Sequence, residues 1–228
     1  MTSKKFNHLW KDIPKIKQVN SGEGRVYEID GVGSFPSITT VLSKTKDKSS
    51  IIRWRKRVGE ETANRITVSA TRRGTSMHKL CEDYLSNKTL DLTADTTGEL
   101  LFRSIRPQLD HIDNIRCLET SLHSKILKVA GTVDCVAELD GKLTVIDFKT
   151  STKPKKTEWI NEYFMQGCFY LVAYRELTGE MPEQVSILIS VQDGSIQNFT
   201  LEKKEIINYT EMLKEKIEEY YGSVNKSV

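Results

Sequence analysis

The stretch Gly131–Thr150, GTVDCVAELDGKLTVIDFKT, decides how the rest of the chain is read. Asp140-Gly141 is a strong signal for a two-residue hairpin loop, because a type I′ turn needs positive φ at both central positions and Asp-Gly tolerates it. With that loop, Leu139 lies opposite Lys142. Counting back sets Asp134 against Asp147 and Thr132 against Lys149. The Asp134–Asp147 pair falls in the non-hydrogen-bonded class, where Cα atoms stand only ~4.5 Å apart. Side chains alternate along a strand, so Asp134, Asp147 and Lys149 are expected on one face. Val133, Val136, Val145, Ile146 and Phe148 place apolar side chains on both faces, the pattern of a central, covered strand. Like charges directly opposed in such a strand are destabilising. A divalent cation offsets them best, since hard cations prefer carboxylate oxygens. The bland reading, an exposed edge with solvated charges, conflicts with the apolar residues on both faces. The pairing assumes a hairpin without a bulge.

The elements around the hairpin follow from periodicity. Residues 1–24 are polar and aperiodic and are expected to form a loosely held arm. Residues 25–228 are expected to form a single domain. The segment RVYEIDGVGSFPSITTVL alternates and breaks at glycines, which predicts a short hairpin and then a helix capped by Ser37 or Thr39. Helical spacing over 50–67 puts Ile51, Ile52, Trp54 and Val58 on one side. A second helix is expected from Gly74 to Asn87, capped by Thr75 or Ser76, with Met77, Leu80, Cys81, Tyr84 and Leu85 as its apolar stripe. A third is expected over 97–113, with Pro107 marking a kink or break. CLETSLHS reads as a strand. A helix follows from about Trp159 to Leu177 and stops at Gly179. Two strands joined at Asp193-Gly194 and a charged amphipathic helix complete the chain. The order implies a mixed sheet covered by helices on both faces.

Composition narrows the function. Of the 228 residues, 38% are hydrophobic and 29% charged, enough for a globular core. No apolar run is long enough to span a bilayer, so no membrane partner is expected. The opening MTSKKFNHLW lacks the apolar core of a signal peptide, and an intracellular protein is expected. Cys81, Cys117, Cys135 and Cys168 are widely spaced with no C-x-x-C pair, which argues against a zinc ribbon or an iron–sulfur cluster. The formal net charge is only +3, but its distribution is informative. Arg53, Arg55, Lys56 and Arg57, then Arg72 and Arg73, then Lys153, Lys155 and Lys156 flank the acidic hairpin, and that arrangement fits a polyanion channel. His78 and Glu82 share a helix face four residues apart, where a neutral histidine can ligate a metal and the carboxylate can orient it. Gln166 and Tyr170 share another.

Together RGTSMHKLCEDYL, GTVDCVAEL, VIDFKTS and QGCFYLVAY resemble the PD-(D/E)XK nuclease superfamily in its RecB-like branch, the last segment matching the branch's Q-x-x-x-Y pattern. The resemblance covers roughly residues 35 to 190. It implies an α/β fold with a restriction-endonuclease-like core, a central mixed β-sheet flanked by helices, and an N-terminal helical arch over about residues 39–73. It implies that His78, Asp134 and Asp147 bind Mg2+ or Mn2+ together with the Phe148 carbonyl. Lys149 would be the catalytic lysine, acting with the two aspartates. Glu82 would support His78. Gln166 and Tyr170 would support the site and contact DNA, Ser37 and Thr39 would hold a phosphate, Trp54 and Arg57 would belong to the arch, and Ser151 would lie against DNA. The implied activity is a metal-dependent exonuclease acting as a monomer on single-stranded DNA or flaps. A structure-specific endonuclease and a non-catalytic nucleic-acid-binding module are the alternatives. Organellar members of the branch carry a targeting segment and none is found here, so a bacterial or viral origin is expected.

Overall fold

Asp140 and Gly141 both adopt positive φ, 51° and 81°, the pair a type I′ turn requires. They join strand β5 (Val129–Leu139) to β6 (Lys142–Ser151) in the expected register, from Leu139 opposite Lys142 to Cys135 opposite Ile146. A computed structural model describes residues 4–22, 24–93 and 96–224. Its central sheet has five strands in the order β4 (Ile112–Ser124), β5, β6, β7 (Gln184–Val191) and β8 (Ile196–Leu201). All neighbours are antiparallel except β6 and β7. A parallel pair needs a crossover, and helix α5 (Asn161–Thr178) supplies it. The mixed sheet and the α/β class are therefore as expected.

Helices cover both faces. On one, α1 (Ile38–Lys44), α5 and α6 (Lys203–Val224) bury Val41, Phe164, Phe169, Tyr174 and Leu213 over Val136, Val145, Val185 and Ile187. On the other, α3 (Glu60–Leu85) and α4 (Thr97–Leu109) bury Met77, Cys81, Phe102 and Ile105 over Cys135, Ile146 and Phe148. A small sheet of β1 (Lys17–Ser21), β2 (Gly24–Ile29) and β3 (Gly33–Pro36) packs Tyr27 and Phe35 near Ala130.

Three expectations need correction. The start of the arm is tied down rather than loose: Leu9 N–H donates to the Ile115 carbonyl, Ile115 N–H donates to Asn7, and Phe6 is 4% exposed. Residues 17–21, within the same arm, form β1. The helix expected to begin at Gly74 does not begin there. α3 is continuous for 26 residues, and the break lies at Gly59, separating it from α2 (Ser49–Val58). A glycine inside a helix costs only about 1 kcal/mol, less than burial of the stripe from Met77 to Leu85 returns. α4 ends at Leu109 rather than residue 113, with Pro107 inside its last turn.

Gly131 marks where α5 meets the sheet. A Cβ there would lie 2.9 Å from Tyr170 Cε1 and 3.1 Å from Ile38 Cγ2, and both neighbours are fully packed. Gly131→Ala is expected to lower stability by about 1–3 kcal/mol through overpacking. A urea melt with an unchanged midpoint would contradict this.

Candidate active site

The β5–β6 ladder stops one rung before the two aspartates meet. Cys135 opposite Ile146 is its last pair, and Asp134 opposite Asp147 is not formed. The Phe148 N–H donates instead to Asp134 Oδ2 at 2.7 Å. A side-chain carboxylate thus takes the place of a backbone carbonyl, and the strands part around it. The cause is a kink. On β5, Val133 and Val136 lie in the same core although they are three positions apart, so alternation slips by one near Asp134. On β4, Cys117 and Leu122 lie in that core five residues apart, and Glu119 between them has φ 43°. The kinked residues Glu119 and Asp134 fall side by side, between the pairs Leu118–Cys135 and Thr120–Val133. Asp147 and Lys149 keep regular alternation on β6. The expectation of one common face for Asp134, Asp147 and Lys149 is corrected accordingly: Asp134 stands at the kink.

The parted strands are reached from both helical layers. From α3, His78 Nδ1 lies 3.6 Å from Asp134 Oδ1 and 4.0 Å from Glu119 Oε1. Among the described residues, His78, Glu119 and Asp134 each offer a ligand atom, all within 4.8 Å of one another. From α5, Gln166 Nε2 donates to the Tyr170 hydroxyl at 3.1 Å. Asp147 is 1% exposed, and neither of its carboxylate oxygens accepts a well-formed hydrogen bond. The Lys149 ammonium touches Asp147 Oδ2 and lies 5.1 Å from the Tyr163 ring centroid.

Charge follows this geometry. Burial pushes Asp147 up to about 6, with the Lys149 ammonium pulling against it and Asp134 adding to the rise. Burial works against the charge on Lys149, but Asp147 and Asp134 outweigh it and hold the ammonium above its usual range. Glu119 sits at the mouth with 36% of its side chain exposed. Desolvation, then Asp134, Glu82 and Asp147, push it up to about 8. Three carboxylates, one of them buried without a well-formed hydrogen bond, and one imidazole suit a divalent cation, the donor set of Mg2+ or Mn2+ with a nitrogen added.

The other expected site residues land variously. Ser37 is 1% exposed and caps α1, accepting from Thr40 N–H; capping alone accounts for its residue type. Thr39 is exposed beside it, and their hydroxyls are 2.9 Å apart. Trp54 and Arg57 sit on α2, which buries none of its residues. Glu82 is drawn to Lys79 at 2.9 Å rather than to His78. It still lines the same cleft as His78, Glu119 and Arg25. Tyr170 is 2% exposed, so it reaches the site as buried support. Ser151 is 4% exposed, and its hydroxyl donates to the Lys153 carbonyl. The four cysteines are free and buried. Glu119 was not singled out from sequence. Its signal was a carboxylate in the strand before the hairpin, but the kink that turns it inward leaves no trace in periodicity.

A family model described as the PD-(D/E)XK nuclease superfamily matches residues 61–225. The chain belongs to this superfamily. The matched span begins in α3 and contains His78, Asp134, Asp147, Lys149, Gln166 and Tyr170. Mitochondrial genome maintenance exonuclease 1 of Homo sapiens is 32% identical over 178 residues, which cover 71% of this chain and 48% of the human protein. The Mus musculus protein of that name is 36% identical over 132 residues, 54% of this chain and 38% of its own. The Xenopus tropicalis protein is 34% identical over 133 residues, with the same shares, 54% and 38%. The chain thus spans about half the length of these relatives or less. They overturn the expectation of a bacterial or viral, non-organellar protein, because the relatives are vertebrate and are named for the mitochondrion. Among the described residues, no helix is long and apolar enough to cross a membrane.

The carboxyls predict a pH dependence. A carboxyl whose pKa is higher folded than unfolded binds more protons in the folded state between the two values, so stability falls as pH rises through that window. For Asp147 the window runs from 3.8 to about 6, and for Glu119 from 4.5 to about 8. The metal-free protein is therefore expected to melt at a lower temperature at pH 8 than at pH 5. Added Mg2+ or Mn2+ should raise the melting temperature more at pH 8. Scanning calorimetry showing an equal metal effect at both pH values would contradict this.

Proposed function

We propose that this chain is a metal-dependent DNA exonuclease hydrolysing phosphodiester bonds of single strands or flaps with free ends. The observation that carries the reading is the Asp147 carboxylate, buried in a central strand without a well-formed hydrogen bond, beside Asp134, His78 and the Lys149 ammonium. Lys149 answers only part of that charge, and a buried carboxylate beside a second carboxylate is costly unless a further cation meets it. The names of the vertebrate relatives, all exonucleases, support the same reaction class.

His78, Asp134 and Asp147 would hold the cation, with Glu119 as a fourth side chain and the Phe148 carbonyl as a further oxygen. That carbonyl points to the same side of β6 as the N–H already given to Asp134, into the gap where the ladder has opened. The bound ion offsets phosphate charge and lowers the pKa of water. Lys149 stays protonated because two carboxylates face it, so it donates hydrogen bonds to a phosphoryl oxygen or to the attacking water as negative charge develops. Tyr163 limits the swing of the Lys149 head. Tyr170, held by Gln166 and seated on Gly131, fixes the β5 side of the gap. Glu119 closes the mouth.

Lys149→Ala is expected to keep the fold and the binding of single-stranded DNA while losing cleavage by roughly 10²–10³-fold or more. Degradation of end-labelled single strands at the parent rate would sink the assignment. The exonuclease reading requires that linear single strands be digested and circular ones spared. Glu119→Gln is expected to weaken Mn2+ binding about ten-fold or more by titration calorimetry, and unchanged affinity would remove Glu119 from the ligand set.

A further inference from the structure

A second cleft lies beside the cluster of His78, Glu119 and Asp134. α3 and the ends of β6 and β7 enclose a cleft of about 690 Å³. One wall is a single face of α3, with Thr62, Arg65, Ile66, Ser69 and Arg73 at helical spacing. The other wall is Thr150, Ser151 and Lys155 from the end of β6 and the turn after it, with Gln192 after β7. The wall residues Thr150 and Ser151 directly follow Lys149. On the helix, Arg73 directly precedes Gly74 and Thr75, which line the neighbouring cleft with His78 and Glu119. The two clefts therefore run on from each other along α3.

The charge in this cleft is one-sided. Arg65, Arg73 and Lys155 line it, and no aspartate or glutamate does, although the chain as a whole carries 34 basic and 31 acidic residues. Among the described residues, none of the three side chains makes an ion pair or a hydrogen bond, whereas Lys79, Lys46 and Arg55 are all paired. Arg73 Nε is buried from solvent with no partner. A solvated helix face would leave that N–H in water, and a structural arginine would pair it. Arg65 and Arg73 stand ~12 Å apart along the helix axis at 1.5 Å rise per residue. Threonine and serine hydroxyls lie between the cations, and the apolar side chain of Ile66 is 47% exposed. Cations spaced along a groove, hydroxyl donors and no acid are the chemistry of a phosphodiester backbone.

We propose that this cleft holds the phosphates of the single strand next to the one being cut, with Arg65, Arg73 and Lys155 as the phosphate-binding residues. The inference rests on the nuclease reading above and adds the path of the strand. It takes a single strand from the metal cluster along α3 toward Thr62, and its grip is to backbone charge rather than to bases.

The test uses the full chain with Ca2+ and a fluorescent single-stranded oligonucleotide, read by anisotropy across salt concentrations. Arg65→Ala/Arg73→Ala/Lys155→Ala is expected to weaken binding and to flatten the slope of log K against log[salt] by about 2, at ~0.7 per lost phosphate contact. Arg65→Gln/Lys155→Gln spares Arg73, whose Nε is buried, and is expected to flatten it by about 1.4. A methylphosphonate oligonucleotide, lacking backbone charge, should not distinguish the variants from the parent. With Mg2+, hydrolysis of a thymidine p-nitrophenyl phosphate ester, which needs only the metal cluster, should be unchanged in the double variant. Parent affinity and parent salt slope in the double variant overturn the proposal. So does loss of ester hydrolysis in a folded double variant, since the residues would then serve the cluster itself. Efficient competition by a mononucleotide at equal phosphate concentration also overturns it, because the cleft would then be a nucleotide site. If the parent neither binds the oligonucleotide nor hydrolyses the ester, the nuclease reading falls first and the strand path with it.

Discussion

A carboxylate withdrawn from water without hydrogen bonds costs several kcal/mol unless a cation answers it, and in this fold that carboxylate is Asp147. It lies in the middle strand of a five-stranded sheet, 1% exposed. Lys149 answers part of its charge from two residues along the same strand. Asp134 cannot, being acidic itself, and instead turns one oxygen to the Phe148 N–H. That bond keeps the amide satisfied where the ladder has ended, so the sheet opens at its centre without leaving a buried donor unpaired. Parted strands, an inward glutamate on β4 and a histidine arriving from α3 all meet at this opening.

The surroundings are rigid where the opening requires it. α5 is buried along most of its length, with Phe164, Cys168, Phe169, Tyr170 and Tyr174 inside, and it seats Tyr170 directly on Gly131. On the opposite layer, Met77, Cys81, Tyr84 and Leu85 anchor the C-terminal half of α3. Its N-terminal half buries only Ala63. The same helix is thus a core element at the acidic cluster and a largely solvent-facing wall beyond it. α2 carries this further, with Ile51 and Ile52 about half exposed, at 48% and 50%.

Much of this was legible in the residues. The Asp-Gly turn set the β5–β6 register, and alternation identified the covered strands. The 3.6-residue stripe from Met77 to Leu85 located the helix that carries His78. Gly179 marked the end of α5, where it has φ 76°. What escaped was non-local. Glu119 turns inward only because β4 and β5 kink together, and a kink is decided by packing between strands rather than by residue type. Gly74 looked like a helix boundary because its low propensity is visible in sequence while the tertiary burial that overrides it is not. The arm at Phe6 looked loose for the converse reason: its partners, Asn87 and Ile115, are remote in the chain. The basic residues before His78 were visible as a cluster, but only the continuity of α3 lines up Arg65 with Arg73.

The bond from Phe148 to Asp134 has a consequence for dynamics. An amide in the centre of a sheet ordinarily exchanges its hydrogen only when strands separate or the domain unfolds. Here the acceptor is a side chain that can rotate, and its charge is the charge a cation would claim. The lifetime of that single proton therefore reports the state of the carboxylate rather than the integrity of the sheet, while Ile146, two residues earlier, lies within the intact ladder. Neighbouring amides on one strand would then keep separate clocks, one set by folding and the other by occupancy of the acidic pocket.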